Sequence, residues 1–335
     1  MIIGGTVYLD GHPRRGYIDL STGKFKEQEP DKGDDAGTII LAPINSHTHL
    51  GDSFIREEPI GTLAEIVGPG GFKLKHLNSA REEEIITGIT KSKKIMRDSG
   101  TCAFIDFRET GSEGLNTILA EKSGDPYGIV LSSPKDAGDY LKIKDIVNGI
   151  ELSAISDIDL NFGVSISKAA KNEKGITGIH FSERYREDIS SLKEISPDLV
   201  IHCLYCTKED IQELTDLKVP IVITPRSNVF YGERKDYYDM CKETDLILLG
   251  TDNAMNTEPN IFREMEFLYR YQRGLNRLPP ESIIDMVTKR PRMFIEKMGI
   301  EIPNSYLLFS GVDLKPYEIV MRSHYYEFKK ISHTQ

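Results

Sequence analysis

Eight apolar runs punctuate the middle of the chain: Thr38–Asn45, Thr101–Phe107, Gly128–Ser133, Leu160–Ile166, Ile176–Phe181, Leu199–Leu204, Pro220–Thr224 and Leu246–Thr251. Most are nearly continuous rather than alternating, the pattern of strands covered on both faces. Charged segments with helical spacing separate many of them, among them Glu82–Asp98, Leu192–Ile195, Lys208–Leu217 and Asp236–Lys242. Eight strand–helix repeats predict a parallel sheet closed into a (β/α)8 TIM-type barrel, with an open doubly wound sheet as the alternative. The third-to-fourth segment is the least regular part of this pattern.

The two ends of the chain read differently. Ile2–Leu9 and Gly16–Leu20 are short alternating runs ahead of a polar, acidic turn over Glu27–Asp35. Tyr317–Arg322 and Tyr325–Lys329 again look like antiparallel strands. The expected division is a small β domain from residues 1–37 and 305–335, flanking a barrel of residues 38–304. A helix over 261–272 carries its apolar positions at helical spacing, which suits packing against that barrel.

Charge and composition narrow the partners. The 335 residues carry a net charge of −10 without any long run of Lys or Arg. Phosphate contacts need a basic surface, so a nucleic-acid polymer is excluded and a small neutral or cationic substrate fits better. No segment approaches the roughly 20 apolar residues of a membrane helix, and no basic leader precedes an apolar stretch. The expectation is a soluble, cytoplasmic protein with no membrane partner. The four cysteines are too few for a disulfide scaffold, and Cys203-x-x-Cys206 has no second pair to complete a zinc ribbon, so these thiols read as buried or incidental.

The chemistry concentrates at the strand ends. His47-Thr48-His49 directly follows the first run, and two His one residue apart in an extended segment project to the same side, within reach of one ion. Of eight His, His180 closes the fifth run and His202 falls within the sixth, while Asp252 follows the eighth. Burying such groups at four strand mouths for packing alone would be costly, whereas convergence on a metal accounts for all of them.

At this point the chain resembles the amidohydrolase superfamily, in its cytosine deaminase, guanine deaminase and chlorohydrolase-like branch. The resemblance spans nearly the whole chain and rests on Asn45-Ser46-His47-Thr48-His49-Leu50-Gly51, His180-x-x-Glu183, His202-Cys203, Pro225-Arg226-Ser227-Asn228 and Gly250-Thr251-Asp252-Asn253. It implies a metal-dependent aminohydrolase acting on a small nitrogen heterocycle such as a purine, pyrimidine or pterin, with release of ammonia. One divalent ion, zinc before iron or manganese, would be held by His47, His49, His180 and Asp252, and would lower the pKa of a bound water to about 7. Glu183 would move a proton between that water and a ring nitrogen, His202 would orient the nucleophile or stabilise developing charge, and Asp252 would help protonate the leaving ammonia. A homodimer is a further expectation at the level of the family. Two departures stand out: Tyr205 replaces a second His after His202, and Ser310-Gly311-Val312-Asp313-Leu314 replaces a Gly-rich segment leading into Ala-Asp-Leu.

Other residues have two readings each. Arg108 and Glu109, placed at the same barrel mouth after the second run, could contact substrate or form a structural ion pair. Arg226 and Asn228 follow the seventh run, and Asn228 could bond either substrate or its own turn. The segment Ile66–Phe72 could belong to a lid or be a plain loop, and His76 beyond it is not expected to be a ligand. The rival chemistry is a two-metal cyclic amidase or lactonase using Lys168 at the end of the fourth run to bridge two ions. A binding protein with a decayed site is the third reading, disfavoured because every ligand and Glu183 are retained.

Overall fold

The computed structural model describes residues 2–31 and 33–332. Residues 1 and 333–335, at the ends of the expected terminal β domain, and residue 32, in the expected acidic turn, lie outside the described residues. The chain opens with β1 (Ile2–Tyr8), β2 (Arg14–Asp19), β3 (Lys24–Glu27) and β4 (Asp35–Leu41). Next come β5 (Ile44–His49), β6 (Ala103–Arg108), β7 (Tyr127–Ser132), β8 (Gly149–Leu152) and β9 (Ile176–Phe181). The remaining strands are β10 (Leu199–His202), β11 (Ile221–Ile223), β12 (Ile247–Leu249), β13 (Asp252–Asn253), β14 (Ser305–Ser310) and β15 (Lys329–Ser332).

Among the described residues, β15-β14-β4-β1-β2-β3 form one six-stranded sheet, and β12-β11-β10-β9-β8-β7-β6-β5-β13 form a nine-stranded sheet. Every pairing in the larger sheet is parallel. Helices such as Glu82–Asp98 and Ile261–Arg273 run between or after its strands, as parallel crossovers require. The sheet curls until its ends meet. Gly250 N–H donates to Ile223 O of β11 at 3.0 Å, and the next residue, Thr251, donates to His47 O of β5 at 2.9 Å. β13 then pairs with β5. A Cβ on Gly250 would lie 2.7 Å from the His47 Cβ and backbone N, so only glycine lets the last strand pass this close to the first. The fold is thus mixed α/β and barrel-like, with a small sheet fed by both ends of the described chain.

Three expected strands come out differently. Leu160–Ile166 lies within a helix, Leu160–Asn172, and the fourth strand is β8 instead. Leu160, Phe162, Val164 and Ile166 do alternate, but the Asp159 side chain accepts from Phe162 N–H and starts a helix. That helix then buries Gly163, Ile166, Ser167 and Ala170 at helical spacing. The true strand is four residues long, too short to announce itself by periodicity.

Tyr317–Arg322 is likewise helical, within Pro316–Arg322. Pro316 occupies the first helical position, and Glu318 reaches back to accept from Lys315 N–H at 3.1 Å. The terminal antiparallel strand there is β15, beginning at the end of the expected Tyr325–Lys329 run. Thr38–Asn45 divides between the two sheets at Pro43, which has no N–H to give a ladder. Ala42 N–H still bonds Ser305 O of β14, while Pro43 O accepts from Cys102 N–H just ahead of β6.

One glycine of the first motif has a purely structural task. A Cβ on Gly51 would sit 1.5 Å from Nη1 of Arg108, and Arg108 is fully buried with nowhere to move. Gly51→Ala is expected to destabilise the protein by about 1–3 kcal/mol, the usual cost of overpacking, read as a lower urea midpoint at unchanged slope.

Candidate metal centre

Strand alternation assembles the site. His47 and His49 share the inner face of β5, and their rings meet edge-on at 4.8 Å between centroids. β9 adds His180, whose ring stacks on His49 at 5.4 Å, and β10 adds His202, 5.4 Å from His180 on its other side. The ligand atoms of His47, His49 and His180 all lie within 4.8 Å of one another, and those of Glu183, His202 and Asp252 do the same. Asp252 Oδ1 joins the two groups, 3.3 Å from His47 Nε2 and 3.6 Å from His49 Nε2.

The free nitrogens of this cluster fit a metal ion. Nδ1 of His49 faces Phe107 O at 3.0 Å, and Nδ1 of His180 faces Leu152 O at 3.3 Å. A carbonyl only accepts, so both imidazoles carry their proton on Nδ1 and present the Nε2 lone pair inward. Those two Nε2 atoms face each other at 3.3 Å. Both ring nitrogens of His47 are buried without a hydrogen-bond partner. Three imidazoles plus a carboxylate are a donor set suited to zinc or a similar divalent ion, and buried polar groups left this way otherwise carry a penalty.

Burial pushes His47 down to about 4 and His180 well below the ordinary histidine value, keeping them neutral as ligands must be. His49 goes the other way. Burial and Lys73 both act to lower it, but Glu109, 2.7 Å from its Nδ1, and Asp252 outweigh them and raise it to about 9. Glu109 in turn pairs with Lys73 Nζ at 2.5 Å. The result is a Lys73–Glu109–His49 chain that fixes the imidazole from behind. Burial would raise the Asp252 carboxyl, yet His47, 3.3 Å away, and the surrounding imidazoles hold it well below the usual range. Ser227 Oγ donates to its other oxygen at 2.6 Å.

Glu183 and His202 form a second layer. Glu183 Oε1 is 3.2 Å from His202 Nε2, and burial together with Asp252 raises its carboxyl to about 8. His202 is pushed down to about 3, mainly by burial. Its Nδ1 faces the Asn228 Nδ2 donor at 3.2 Å, and Tyr237 OH, donating to Asn228 Oδ1 at 3.0 Å, fixes that amide. A neutral His202 accepting at Nδ1 carries its proton on Nε2, directed at Glu183. Ser182, His202, Cys203 and Asp252 all take positive φ. Non-glycine residues in that region cost energy, and such strain gathers where strand ends must aim side chains.

The residues flagged for substrate contact separate. Arg108 does not face the mouth. It shares the outer side of β6 with Asp106, fully buried, with Nε 3.8 Å from Glu121 of the neighbouring helix and Nη1 3.9 Å from Glu109, the structural ion pair that is one of its two readings. Alternation along a strand sends the next residue, Glu109, inward instead. Arg226 is held by Glu264, with Nε to Oε2 at 2.6 Å and its own N–H to Oε1 at 2.8 Å. Asn228 serves His202. Lys168 is exposed on the Leu160–Asn172 helix, away from any strand end.

A cavity of about 280 Å³ opens onto the metal cluster. Leu63, Ala64, Val67 and Leu74 line it from two short helices, Leu63–Val67 and Phe72–Ser79, and Gly68-Pro69 between them lines it too. The glycine-rich segment therefore belongs to the pocket wall. His76 lies on the second helix and contributes nothing to the lining. Two buried charged residues of the lining escaped the sequence reading, Lys73 and Glu151. Glu151 left one signal, a lone acid in the apolar tetrad Gly149–Leu152, whereas Lys73 left none.

No protein-family model matches the chain. A protein of Archaeoglobus fulgidus named "Putative aminohydrolase" is 32% identical over 246 residues, covering 72% of this chain and 71% of its own. A 5-methylthioadenosine/S-adenosylhomocysteine deaminase of Thermoanaerobacter pseudethanolicus is 25% identical over 279 residues, 70% of this chain and 62% of its own. In fold, the zinc-bound adenosine deaminase of Xanthomonas campestris superposes with a TM-score of 0.74 at 13% identity, covering 95% of this chain and 88% of its own. By its 32% identity to that aminohydrolase over 72% of its length, the chain belongs to the aminohydrolases of the amidohydrolase superfamily and is a hydrolase of non-peptide carbon–nitrogen bonds.

Proposed function

We propose that this chain is a one-metal aminohydrolase that replaces the amino group of a small nitrogen heterocycle with oxygen and releases ammonia. The observation that carries the reading is the Glu183 carboxyl, raised to about 8 and 3.2 Å from His202, beside three inward-facing imidazoles and Asp252. His47, His49, His180 and Asp252 would hold the ion, with zinc first because the adenosine deaminase of similar fold carries it. When bound, such an ion supplies Lewis acidity that makes water nucleophilic near neutral pH.

The chain's own groups would then manage protons and charge. Glu183, held largely protonated near neutral pH, gives its proton to the ring nitrogen, which makes the adjacent carbon more electrophilic, and recovers one from the attacking water. Neutral His202 donates from Nε2 to the oxygen on which charge develops. Asp252 takes the second proton and delivers it to the departing ammonia. Apolar Leu63, Val67 and Leu74 keep the ring face dry.

The two-metal reading requires a lysine at the fourth strand's mouth, and that position belongs to Glu151 on β8, with Lys168 on an exposed helix surface. Lys168→Ala is therefore expected to leave metal content and activity unchanged. The direct test measures metal by plasma mass spectrometry on protein purified without chelators, then ammonia release from nucleobases, nucleosides and pterins. Roughly one ion per chain with ammonia release supports the proposal. About two ions, both lost in Lys168→Ala, would sink it.

A further inference from the structure

The pocket holds one carboxyl that the proposed chemistry leaves unused. Five carboxylates line it, Glu109, Glu151, Asp157, Glu183 and Asp252, against two cationic side chains, Lys73 and Arg184. Both cations are engaged: Lys73 with Glu109 at 2.5 Å, and Arg184 Nη2 with each oxygen of Asp157 at 2.6 Å. Asp252 belongs to the metal cluster and Glu183 to proton transfer. Glu151 remains.

Its placement is fixed by register. Glu151 of β8 pairs with Gly178 of β9, so both point to the face that carries His180 two residues later. Glu151 is 4% exposed and lines the cavity. Its carboxylate accepts a hydrogen bond from Ser133, and the positive charges that act on it, His49 and Lys73, are both paired with Glu109. Those two cations are shared with Glu109, so the cost of burying the Glu151 carboxyl against the cavity is offset only in part until a ligand adds a further donor.

We infer that Glu151 is the specificity residue of this pocket: it accepts hydrogen bonds from an amino or hydroxyl substituent carried by the heterocycle and bars anionic substituents. The inference rests on the proposed aminohydrolase reading for the orientation of the ring, whose leaving amino group faces the metal cluster. The substrate class is then a neutral or cationic, donor-bearing heterocycle, with phosphorylated and carboxylated forms excluded by the acidic lining. Burial and Glu109 raise the Glu151 carboxyl to about 7 against the opposing charges of His49 and Lys73 and the Ser133 hydrogen bond, and a bound donor would draw it back toward the charged form.

The test measures binding by calorimetry on zinc-loaded Glu183→Gln protein, with and without a second change at Glu151. The probes are adenosine, its 5′-amino-5′-deoxy analogue, adenosine 5′-monophosphate and adenine. Adenosine and the amino analogue should bind, and Glu151→Ala should weaken them about tenfold or more, the worth of a hydrogen bond to a charged group, while adenine is unaffected. Glu151→Gln separates the two donor chemistries. It spares much of the hydroxyl-bearing ligand's affinity and weakens the cationic amine as much as Ala does. The monophosphate should bind only once Glu151 is neutralised.

Unchanged affinities in Glu151→Ala, failure of both donor-bearing probes to bind, or loss of zinc from the Glu151 variants would each overturn the assignment. The last outcome would make Glu151 a ligand. Ammonia release is assayed in parallel on the parent protein. Glu151-dependent binding without ammonia release would remove the proposed reaction and keep the recognition role, whereas ammonia release with no Glu151 dependence would do the reverse.

Discussion

Glu183→Gln is expected to lower kcat for ammonia release by about 10²–10⁴-fold, the range for loss of a positioned proton-transfer group, while zinc content and thermal stability stay near the parent values. The side chain is buried beside His202, and its carboxyl sits near 8 because burial and the Asp252 charge disfavour ionisation. Gln keeps the volume and one acceptor oxygen but cannot carry a proton between two partners. His202 Nε2 retains a hydrogen-bond acceptor, so the folded state should not suffer. Steady-state kinetics with metal analysis on the same preparation checks this. A variant as fast as the parent would remove Glu183 from the reaction, and one that had lost its metal would make Glu183 part of the ligand set.

Asp252→Asn is expected to abolish both metal retention and activity in a protein that still folds. Asn is nearly isosteric and tolerates the left-handed backbone that Asp252 adopts at φ +64°. It can keep the 2.6 Å hydrogen bond from Ser227 and the ladder to β5. What disappears is the charge that sits 3.3 Å from His47 and 3.6 Å from His49. Without that carboxylate the three imidazoles hold a divalent ion far more weakly. Plasma mass spectrometry on desalted protein should fall from roughly one ion per chain toward none, and circular dichroism should be unchanged. Retention of a full equivalent of metal would remove Asp252 from the proposed ligand set.

Much of the site was legible because its spacing is enforced locally. His47 and His49 share a face by the two-residue repeat of an extended chain, which holds whatever surrounds the strand. His180-x-x-Glu183 and Gly250-Thr251-Asp252 sit at strand ends, and the structure brings all six candidate groups together. The same repeat should have warned that Arg108 and Glu109, being adjacent, could not both face the mouth. The structure sends Glu109 to His49 and Arg108 outward to Glu121, while Nη1 of Arg108 stays 3.9 Å from Glu109 as a structural ion pair.

The rest depended on a helix cap that alternation outweighed and on partners distant in sequence. Leu160–Ile166 alternates as a strand does, and only the Asp159 cap and the burial stripe of the longer segment make it a helix. That single exchange moved the fourth strand to Gly149–Leu152, placed Glu151 in the pocket and removed Lys168 from it. Arg226 pairs with Glu264, 38 residues away, and Asn228 steadies His202 across two strands. Lys73 reaches Glu109 and Asn253 from a short helix that carries no motif. By itself, the sequence determined what local backbone geometry controls: the paired histidines, the strand-end ligands and the parallel repeat that gathers strand ends at one mouth. Only the tertiary structure decided which charges meet inside that mouth, because an ion pair is set by distance in space, and spacing along the chain carries no record of it.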